Sequence, residues 1–596
     1  MKSLLTIILL GLSLYAYTQD LILLHTNDIH SHLMGLSPES EYTPFENDND
    51  PTRGGFARLA GYMKAEKQQN NDKLIIVDAG DFLMGSLFQT IELSHGFQLN
   101  LMHEMGYNHL ALGNHEFDFG PDSLAKIIVN AQNNGPIPTI LCTNYKGIKN
   151  STDSDLRALF NNQTILPYDV FEKNGYRIGI FSIMGKNADD AIPGFYDLEF
   201  ENQLKTARKT ARYLKKQAKA DIVIALSHSG VYKNERGDWK GEDVEMGRKI
   251  NDIDIIISGH SHTSLNTPIQ AGNTIIVQTG TAGINLGRIE INFDSFGTPL
   301  VQYQLIAIDD KITADKEVQE KIETRIPLIE TSILKPLGIE FDTPILETAY
   351  DLHINGRNPA KSNLGPFVAD AMYHWLNKPK GPQTDIVVVA AGVIRNNISH
   401  GKYGQQNIND LFNVMPLGAG LDNIPGTPLS KLYVTGNELK KVMELILAVS
   451  EVRPNFYLYF SGMRAFINPN KRIFRKVQSL EIGNEQEGYQ SIRFDKRDTT
   501  LYSVTANAYM VSFIGQLKKM SYGLVNIKSK NEKGEATNPM ELVIDLNPDK
   551  PGIQEAKEWL SIYHYATDLE DTNGNGIPDI PEKYRKAKNP IIIQQN

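Results

Sequence analysis

The feature that most constrains this chain is a recurring word order, a short apolar run that stops abruptly in glycine, histidine and acid. Leu21–Leu24 runs into His25-Thr26-Asn27-Asp28-Ile29-His30-Ser31-His32. Leu74–Val77 runs into Asp78-Ala79-Gly80-Asp81, and His109–Leu112 into Gly113-Asn114-His115-Glu116-Phe117-Asp118. Ile222–Leu226 is followed by Ser227-His228-Ser229-Gly230, and Ile253–Ile257 by Ser258-Gly259-His260-Ser261-His262. Short apolar runs bounded by turn residues read as buried strands. Thr139–Leu141, Arg177–Ser182 and Thr274–Val277 add further strands, and amphipathic stretches such as Gln203–Lys219 lie between them. The alternation predicts an α/β domain with layered sheets.

The polar strand ends carry the chemistry. If the backbone stays extended past the first strand, Asp28 and His30 project to the same side. A carboxylate beside an imidazole suits Mn, Fe, Zn or Co. The glycines permit tight turns and close approach of the backbone to an ion or phosphate. Any one of these stretches reads equally well as a capped strand or a packed histidine. Five in succession gather ligand types at the ends of several strands.

Asp28-x-His30, Gly80-Asp81, Gly113-Asn114-His115-Glu116-Phe117-Asp118, His228 and Gly259-His260-x-His262 resemble, in order, the motif set of the calcineurin-like metallophosphoesterases. The flanking words Leu24-His25-Thr26-Asn27-Asp28 and Gly113–Asp118 look more narrowly like the exported bacterial 5′-nucleotidase family. The resemblance implies a four-layer αββα sandwich joined by a linker helix to a mixed α/β and α+β second domain. It implies Asp28, His30 and His262 on one divalent cation, Asn114, His228 and His260 on another, and Asp81 bridging the two. His115 and Asp118 are then the catalytic dyad, with Asp118 fixing the His115 tautomer. The physics agrees: two cations about 3.5–4 Å apart clamp a phosphate and activate water as hydroxide. Asp78 reads as a supporting residue. His25, His103 and His109 read as packed or surface histidines, and Gln278 ends a strand near the expected centre.

A chain of 596 residues exceeds one core. Residues 1–18 carry Lys2, an apolar run from Leu4 to Leu14, and small residues at Ala16 and Thr18, the pattern of a cleaved signal peptide. The expectation is export to the periplasm, medium or cell surface. No later stretch is long and apolar enough for a transmembrane anchor. The formal net charge of −10, with no basic block, argues against nucleic acid as the main partner. The single cysteine, Cys142, reads as a core residue. Glu39–Thr52 reads as an exposed acidic loop. The catalytic domain is expected over 19–312, a polar-faced linker helix over 313–338, a substrate-specificity domain over 339–548, and a tail over 549–596.

The second domain resembles the family's in Asn363–Ala371, Ala391-Gly392-Val393-Ile394-Arg395 and Met415-Pro416-Leu417-Gly418. Its details depart from the pattern. Ala390 stands where the family has asparagine, and Leu417 where it has one of two base-stacking aromatics. Tyr509 takes the place of the second, but the Gly-Gly-Asp-Gly loop expected after it reads Phe513-Ile514-Gly515-Gln516-Leu517-Lys518-Lys519. Arg357 and Arg395 suit a substrate phosphate or carboxylate. In the tail, Asp571, Asn573, Asn575, Asp579 and Glu582 stand at calcium-loop spacing with Gly576 at position 6, so one structural calcium is an expectation. Asx- and glycine-rich turns share that pattern.

The expected partner is a small phosphate ester, foremost a nucleotide. Other phosphate esters (cyclic nucleotides, nucleotide sugars, non-nucleotide monoesters) remain open. So does a non-catalytic calcium-dependent binding protein on the same scaffold. Oligomeric state and metal identity are not readable.

Overall fold

The computed structural model describes residues 20–36, 38–149, 154–192, 196–295, 298–422, 424–472, 474–512, 514, 523, 525–586 and 590–594. The expected signal peptide, and all of Phe513–Lys519 but residue 514, lie outside the described residues.

Two sheets stack face to face in the first half. One orders its strands Pro299–Ala307, Asn285–Phe293, Leu21–Thr26, Leu74–Asp78, His109–Ala111, Thr139–Leu141 and Ile165–Leu166. The other runs Ile269–Ala271, Thr274–Val277, Ile255–Ser258, Ile222–His228, Tyr176–Met184 and Tyr168–Lys173. Between them Leu21, Leu23, Ile75 and Val77 meet Ile178, Ile180, Ile222, Ile224 and Ile255 in one apolar layer. Helices Phe56–Asn70, Phe97–Met105 and Pro121–Asn134 cover the first sheet, and Gln203–Lys216 and Glu242–Lys249 the second. This is the αββα sandwich, with strands buried on both faces as parallel sheets require.

Register places the chemistry. Thr26 pairs with Asp78 and Asp78 with Leu110, so the chains leaving three parallel strands emerge side by side. In the other sheet Ser227 pairs with Ser258, which sets His228 beside the turn carrying His260.

The second half holds two four-stranded sheets, Leu429–Thr435, Leu501–Asn507, Ile386–Ala390, Leu458–Ser461 and Gly488–Ser491, Val477–Asn484, Met463–Ile467, Ile591–Ile593. Helix Leu364–Leu376 packs against the tail helix Glu558–Thr567. One apolar core, which includes Ile76, Phe88, Phe341, Phe412 and Trp559, runs through both halves and the tail.

Two expectations are corrected here. The linker is not one uniform helix. Its backbone stays helical from Lys316 to Leu337 but changes pitch, through Lys316–Glu323, Ile326–Ile329, a wide helical turn at Glu330–Leu334 and a tight one at Lys335–Leu337. Pro327 and Pro336 remove backbone donors, and Val318, Ile322, Ile329, Ile333 and Leu334 are buried in the shared core. Nor is Glu39–Thr52 exposed throughout. Glu39, Glu41, Tyr42 and Thr52 are buried. The Glu39 N–H donates to Asp410 Oδ1 at 2.9 Å, a partner 371 positions away. The Glu41 carboxylate accepts from the Lys402 and Tyr403 N–H groups at 2.7 Å.

Candidate active site

The first strand ends at Thr26, and the backbone does not stay extended beyond it. Asp28, His30 and Ser31 have φ of 51°, 53° and 52°, and Asp81, His260 and His262 have 57°, 70° and 51°. Left-handed backbone at non-glycine residues is strained and clusters at functional sites. Here main-chain bonds hold it: Asp28 N–H donates to Gly80 O and His30 N–H to Asp81 O, each at 2.9 Å. The expected extended geometry is therefore replaced by interlocked turns, which still turn Asp28 and His30 to one point.

Two sets of donors result. Asp28, His30 and His262 bring one ligand atom each within 4.8 Å of one another, and so do Asp81, His228 and His260. His30 Nε2 lies 3.1 Å from His262 Nε2, and His262 Nε2 lies 3.5 Å from Asp28 Oδ1. Asp81 Oδ2 stands between the sets, 3.0 Å from His228 Nε2 and 4.0 Å from His30 Nε2. Asn114 Oδ1 lies 3.0 Å from His260 Nδ1. Backbone carbonyls fix two tautomers. His30 Nδ1 donates to Met84 O and His228 Nδ1 to Ala79 O, both at 2.9 Å, which turns each Nε2 inward. His228 Nε2 is buried and makes no hydrogen bond of good geometry, despite its closeness to Asp81. Burial holds His260 down to about 3 and His30 well below the usual histidine range, so both rings present lone pairs. Asp81 raises His228 to about 10, a charge-favouring environment that a cation can take over, and imidazole nitrogens converging with carboxylates fit a pair of divalent cations.

The dyad residues meet: His115 Nδ1 lies 2.7 Å from Asp118 Oδ2. Burial opposes charge on His115, but Asp118 and Asp81 outweigh it and raise the imidazole above its ordinary value. The His115 N–H also donates to Asp81 Oδ1 at 2.8 Å, so one backbone links the dyad to the bridging position. Glu116 accepts from the N–H groups of Asp81, Leu83 and Gly113 at 3.0, 2.9 and 2.6 Å, and so shapes the Asp81 turn. A Cβ on Gly113 would lie 2.3 Å from Asp81 Oδ1, which explains the glycine. Asp78 accepts from Thr26 Oγ1 and Gly80 N–H, outside the donor sets, and burial pushes it up to about 7. His25 stacks on Tyr303, His109 pairs with Asp169, and His103 is exposed. Gln278 accepts from Ser261 Oγ at 3.0 Å, one residue from His262.

Two residues carry roles that the sequence did not disclose. Asp243, fully buried, accepts from Ser227 Oγ at 2.5 Å, Ser258 Oγ at 2.6 Å and Gly230 N–H at 3.1 Å. It clasps the strand ends that carry His228 and His260. Its only cue is an acid opening a helix. His32 sits beside His262 and Arg395, and burial and their charges hold it down to about 4. It lay in the first motif, without a spacing that set it apart.

The second domain reaches into the centre. Arg395 Nη2 lies 3.5 Å from His262 Nε2. Tyr509 donates its hydroxyl to Ala191 O across the domain boundary at 3.2 Å. Leu417 is half-buried against the shared core. Arg357 is exposed and its N–H donates to Asn355 Oδ1; among the described residues no hydrogen bond or ion pair joins it to the cluster. In the tail, Asp571 accepts from the N–H groups of Gly574, Asn575 and Gly576, and Asp579 from Thr572. Glu582 departs from its expected place: it pairs with Arg585 at the surface. Glu347, from the start of the second domain, faces the loop instead and accepts from Asn573 and Asn575. Register decides this, because Glu347 bridges to Asp579.

Residues 21–264 match the calcineurin-like phosphoesterase family, and residues 344–518 match the 5′-nucleotidase C-terminal domain. The chain belongs to the metallophosphoesterases that carry a 5′-nucleotidase C-terminal domain. The first of these families is one of phosphoesterases, hydrolases of phosphoric esters. It is 25% identical to the trifunctional nucleotide phosphoesterase YfkN of Bacillus subtilis over 82% of its length, but spans only 32% of that protein. It spans 41% of the endonuclease YhcR of the same organism. It is 25% identical to the NAD 5′-nucleotidase of Haemophilus influenzae, covering 82% of this chain and 84% of that one. Among solved structures, the 5′-nucleotidase precursor of Thermus thermophilus superposes with a TM-score of 0.70 at 20% identity, over 97% of this chain and 99% of that one. That likeness shows the fold. Among the described residues no helix is long and apolar enough to cross a membrane.

Proposed function

We propose that this metallophosphoesterase is exported and hydrolyses the 5′-phosphate of nucleotides. The observation that supports the reading best is Arg395 reaching from the second domain to within 3.5 Å of His262. A guanidinium there grips a phosphate as it meets the metal donors. Asp28, His30, His262, Asp81, Asn114, His228 and His260 would hold divalent cations, which would supply Lewis acidity and lower the pKa of water. The chain's own part is to orient and to move protons. Asp118 holds His115 with Nε2 facing the reacting group, and a raised His115 supplies a proton to the leaving oxygen. Tyr509 and Leu417 wall the place where a base would lie. The relatives named 5′-nucleotidases favour the nucleotide.

The test is release of inorganic phosphate by the mature chain with Mn²⁺, from AMP, ATP, UDP-glucose, 2′,3′-cyclic AMP, ribose 5-phosphate and p-nitrophenyl phosphate, with a coupled phosphatase for the diesters. Preference for AMP supports the reading. Equal turnover of simple esters replaces it with the second reading, a phosphoesterase retuned for another ester, which Leu417 in an aromatic's place favours. Asp81→Asn abolishes turnover in either case; a scaffold that only binds is indifferent to it. A calcium ion belongs in the tail loop with Glu347, and a rise in Tm on adding Ca²⁺ to the Mn²⁺-loaded chain tests that.

A further inference from the structure

Both walls of the substrate site hang on a segment that neither matched family domain includes. The 5′-nucleotidase match ends at residue 518, yet residues 555–559 of the tail run behind the loop after Leu417 and the turn that bears Tyr509. The Leu429 N–H donates to Ala556 O at 2.7 Å, and Pro428 bridges to Lys557. Pro428 O in turn accepts from the Ala508 N–H at 2.8 Å, one residue before Tyr509.

The first loop is held by charged and polar contacts, those of Lys557 and Trp559 fully buried. Lys557, with no exposed surface, places its ammonium 2.9 Å from Asp422 and 2.5 Å from Glu555. Glu555 also accepts from the Leu421 N–H at 3.0 Å. Trp559, fully buried, donates Nε1–H to Pro425 O at 2.7 Å. The loop is folded back on Leu417 itself, because Thr427 Oγ1 donates to Leu417 O at 2.8 Å. A Cβ at Gly420 would fall within 2.3 Å of the Lys557 ammonium, so the loop crosses the ion triad with no room to spare.

The second loop is held by one buried acid. Glu558 Oε1 accepts from Asn507 Nδ2 at 3.0 Å, and Asn507 Oδ1 accepts from the Met510 N–H at 2.7 Å. Asn507 thereby caps the turn that points Tyr509 toward the catalytic domain. A buried hydrogen-bonded acid and a buried cation triad hold geometry because removing one partner strands the other.

We propose that residues 555–559 form a strap that sets the separation of the Leu417 and Tyr509 walls and so sets selectivity for a base over a simple phosphate ester. Glu558 and Trp559 are positioning residues, since neither faces the metal donors. The inference rests on the reading of Leu417 and Tyr509 as the base site.

The test is a comparison of kcat and KM on AMP and on p-nitrophenyl phosphate, with the full Mn²⁺-loaded chain. Glu558→Leu should raise KM for AMP about tenfold, the order of one weakened stacking face. It should leave kcat/KM for p-nitrophenyl phosphate and the metal content within twofold, roughly the level at which stacking energy is not involved. Glu558→Gln, which keeps an acceptor for Asn507, should restore AMP. Trp559→Phe removes the bond to Pro425 and some of the ring's packing, and gives the same split through the other loop, should Glu558→Leu not fold. A proportional loss on both substrates, or no change in KM for AMP, overturns the strap. Tyr509→Leu separates the premises. If it leaves the AMP preference unmoved, the base site falls and the strap with it; if it moves the preference while the tail variants do not, the strap alone falls.

Discussion

At the residue scale, the centre depends on groups that hold ligands as much as on ligands. Asp118 touches no metal donor set; it acts on His115 at 2.7 Å. Asp118→Asn should therefore lower kcat by about 10²–10⁴-fold while metal content stays at the wild-type level. Asp243 acts one step further out, through Ser227 and Ser258. Asp243→Ala should weaken divalent-cation binding by about 10–100-fold, the usual range for groups that orient ligands, and calorimetric titration of the apo chain with Mn²⁺ checks it. The sequence disclosed Asp28, His30, Asp81, Asn114 and the later histidines because each follows an apolar strand directly. It did not disclose Asp243, which reaches the centre only through serine hydroxyls. Nor did it disclose the left-handed backbone at Asp28, His30 and Asp81, because the bonds that stabilise it join turns from different strands.

At the element scale, helix Ile408–Val414 is the joint between the domains. All 7 of its residues are buried. Asn409 Oδ1 accepts from the Leu87 N–H at 2.9 Å, and Asp410 Oδ1 from the Glu39 N–H, so the helix grips the catalytic domain just past the Asp81 turn. Burial pushes Asp410 up to about 6 and Glu39 well above the usual carboxylate range, with Glu41 and Asp342 adding negative charge nearby. Both acids bind protons more tightly in the joined state than in the separated one. The contact is then fullest below about pH 4 and weakens as the pH rises, through about 6 for Asp410 and further up for Glu39. Thermal unfolding should show a lower Tm at pH 7 than at pH 5, and Asp410→Asn should reduce that difference by its own share, the rest staying with Asp78 and the other buried acids. Strand positions were legible because apolar runs stop at polar words. The linker misled because its helical spacing continues through Pro327, whose effect on pitch is local, while the burial of Ile329 and Ile333 depends on the whole assembly. Glu39 and Glu41 misled for the opposite reason: acids beside prolines read as solvated until a distant helix supplies their donors.

At the scale of the molecule, the tail is part of the second domain's core rather than an appendage. Trp559 packs on Phe412 at 5.4 Å, Tyr565 and Tyr584 lie against Phe367, and Ile591–Ile593 pairs in parallel with Met463–Ile467. A chain ending at residue 524 should lose cooperative unfolding in its second half and become sensitive to limited proteolysis there, while the first half keeps its metal donors. Composition and length showed that a second domain exists; they could not show that its core closes only with the last seventy or so residues. The donors lie between Asp28 and His262, whereas Arg395, Leu417, Tyr509 and the tail segment lie beyond residue 390. On the proposed reading, heredity can thus rewrite what this enzyme feeds on in one stretch of gene while the reactive machinery, encoded in another, is left intact. The fully enclosed helix at 408–414 is where such rewriting meets resistance, because every change there is felt by both halves at once.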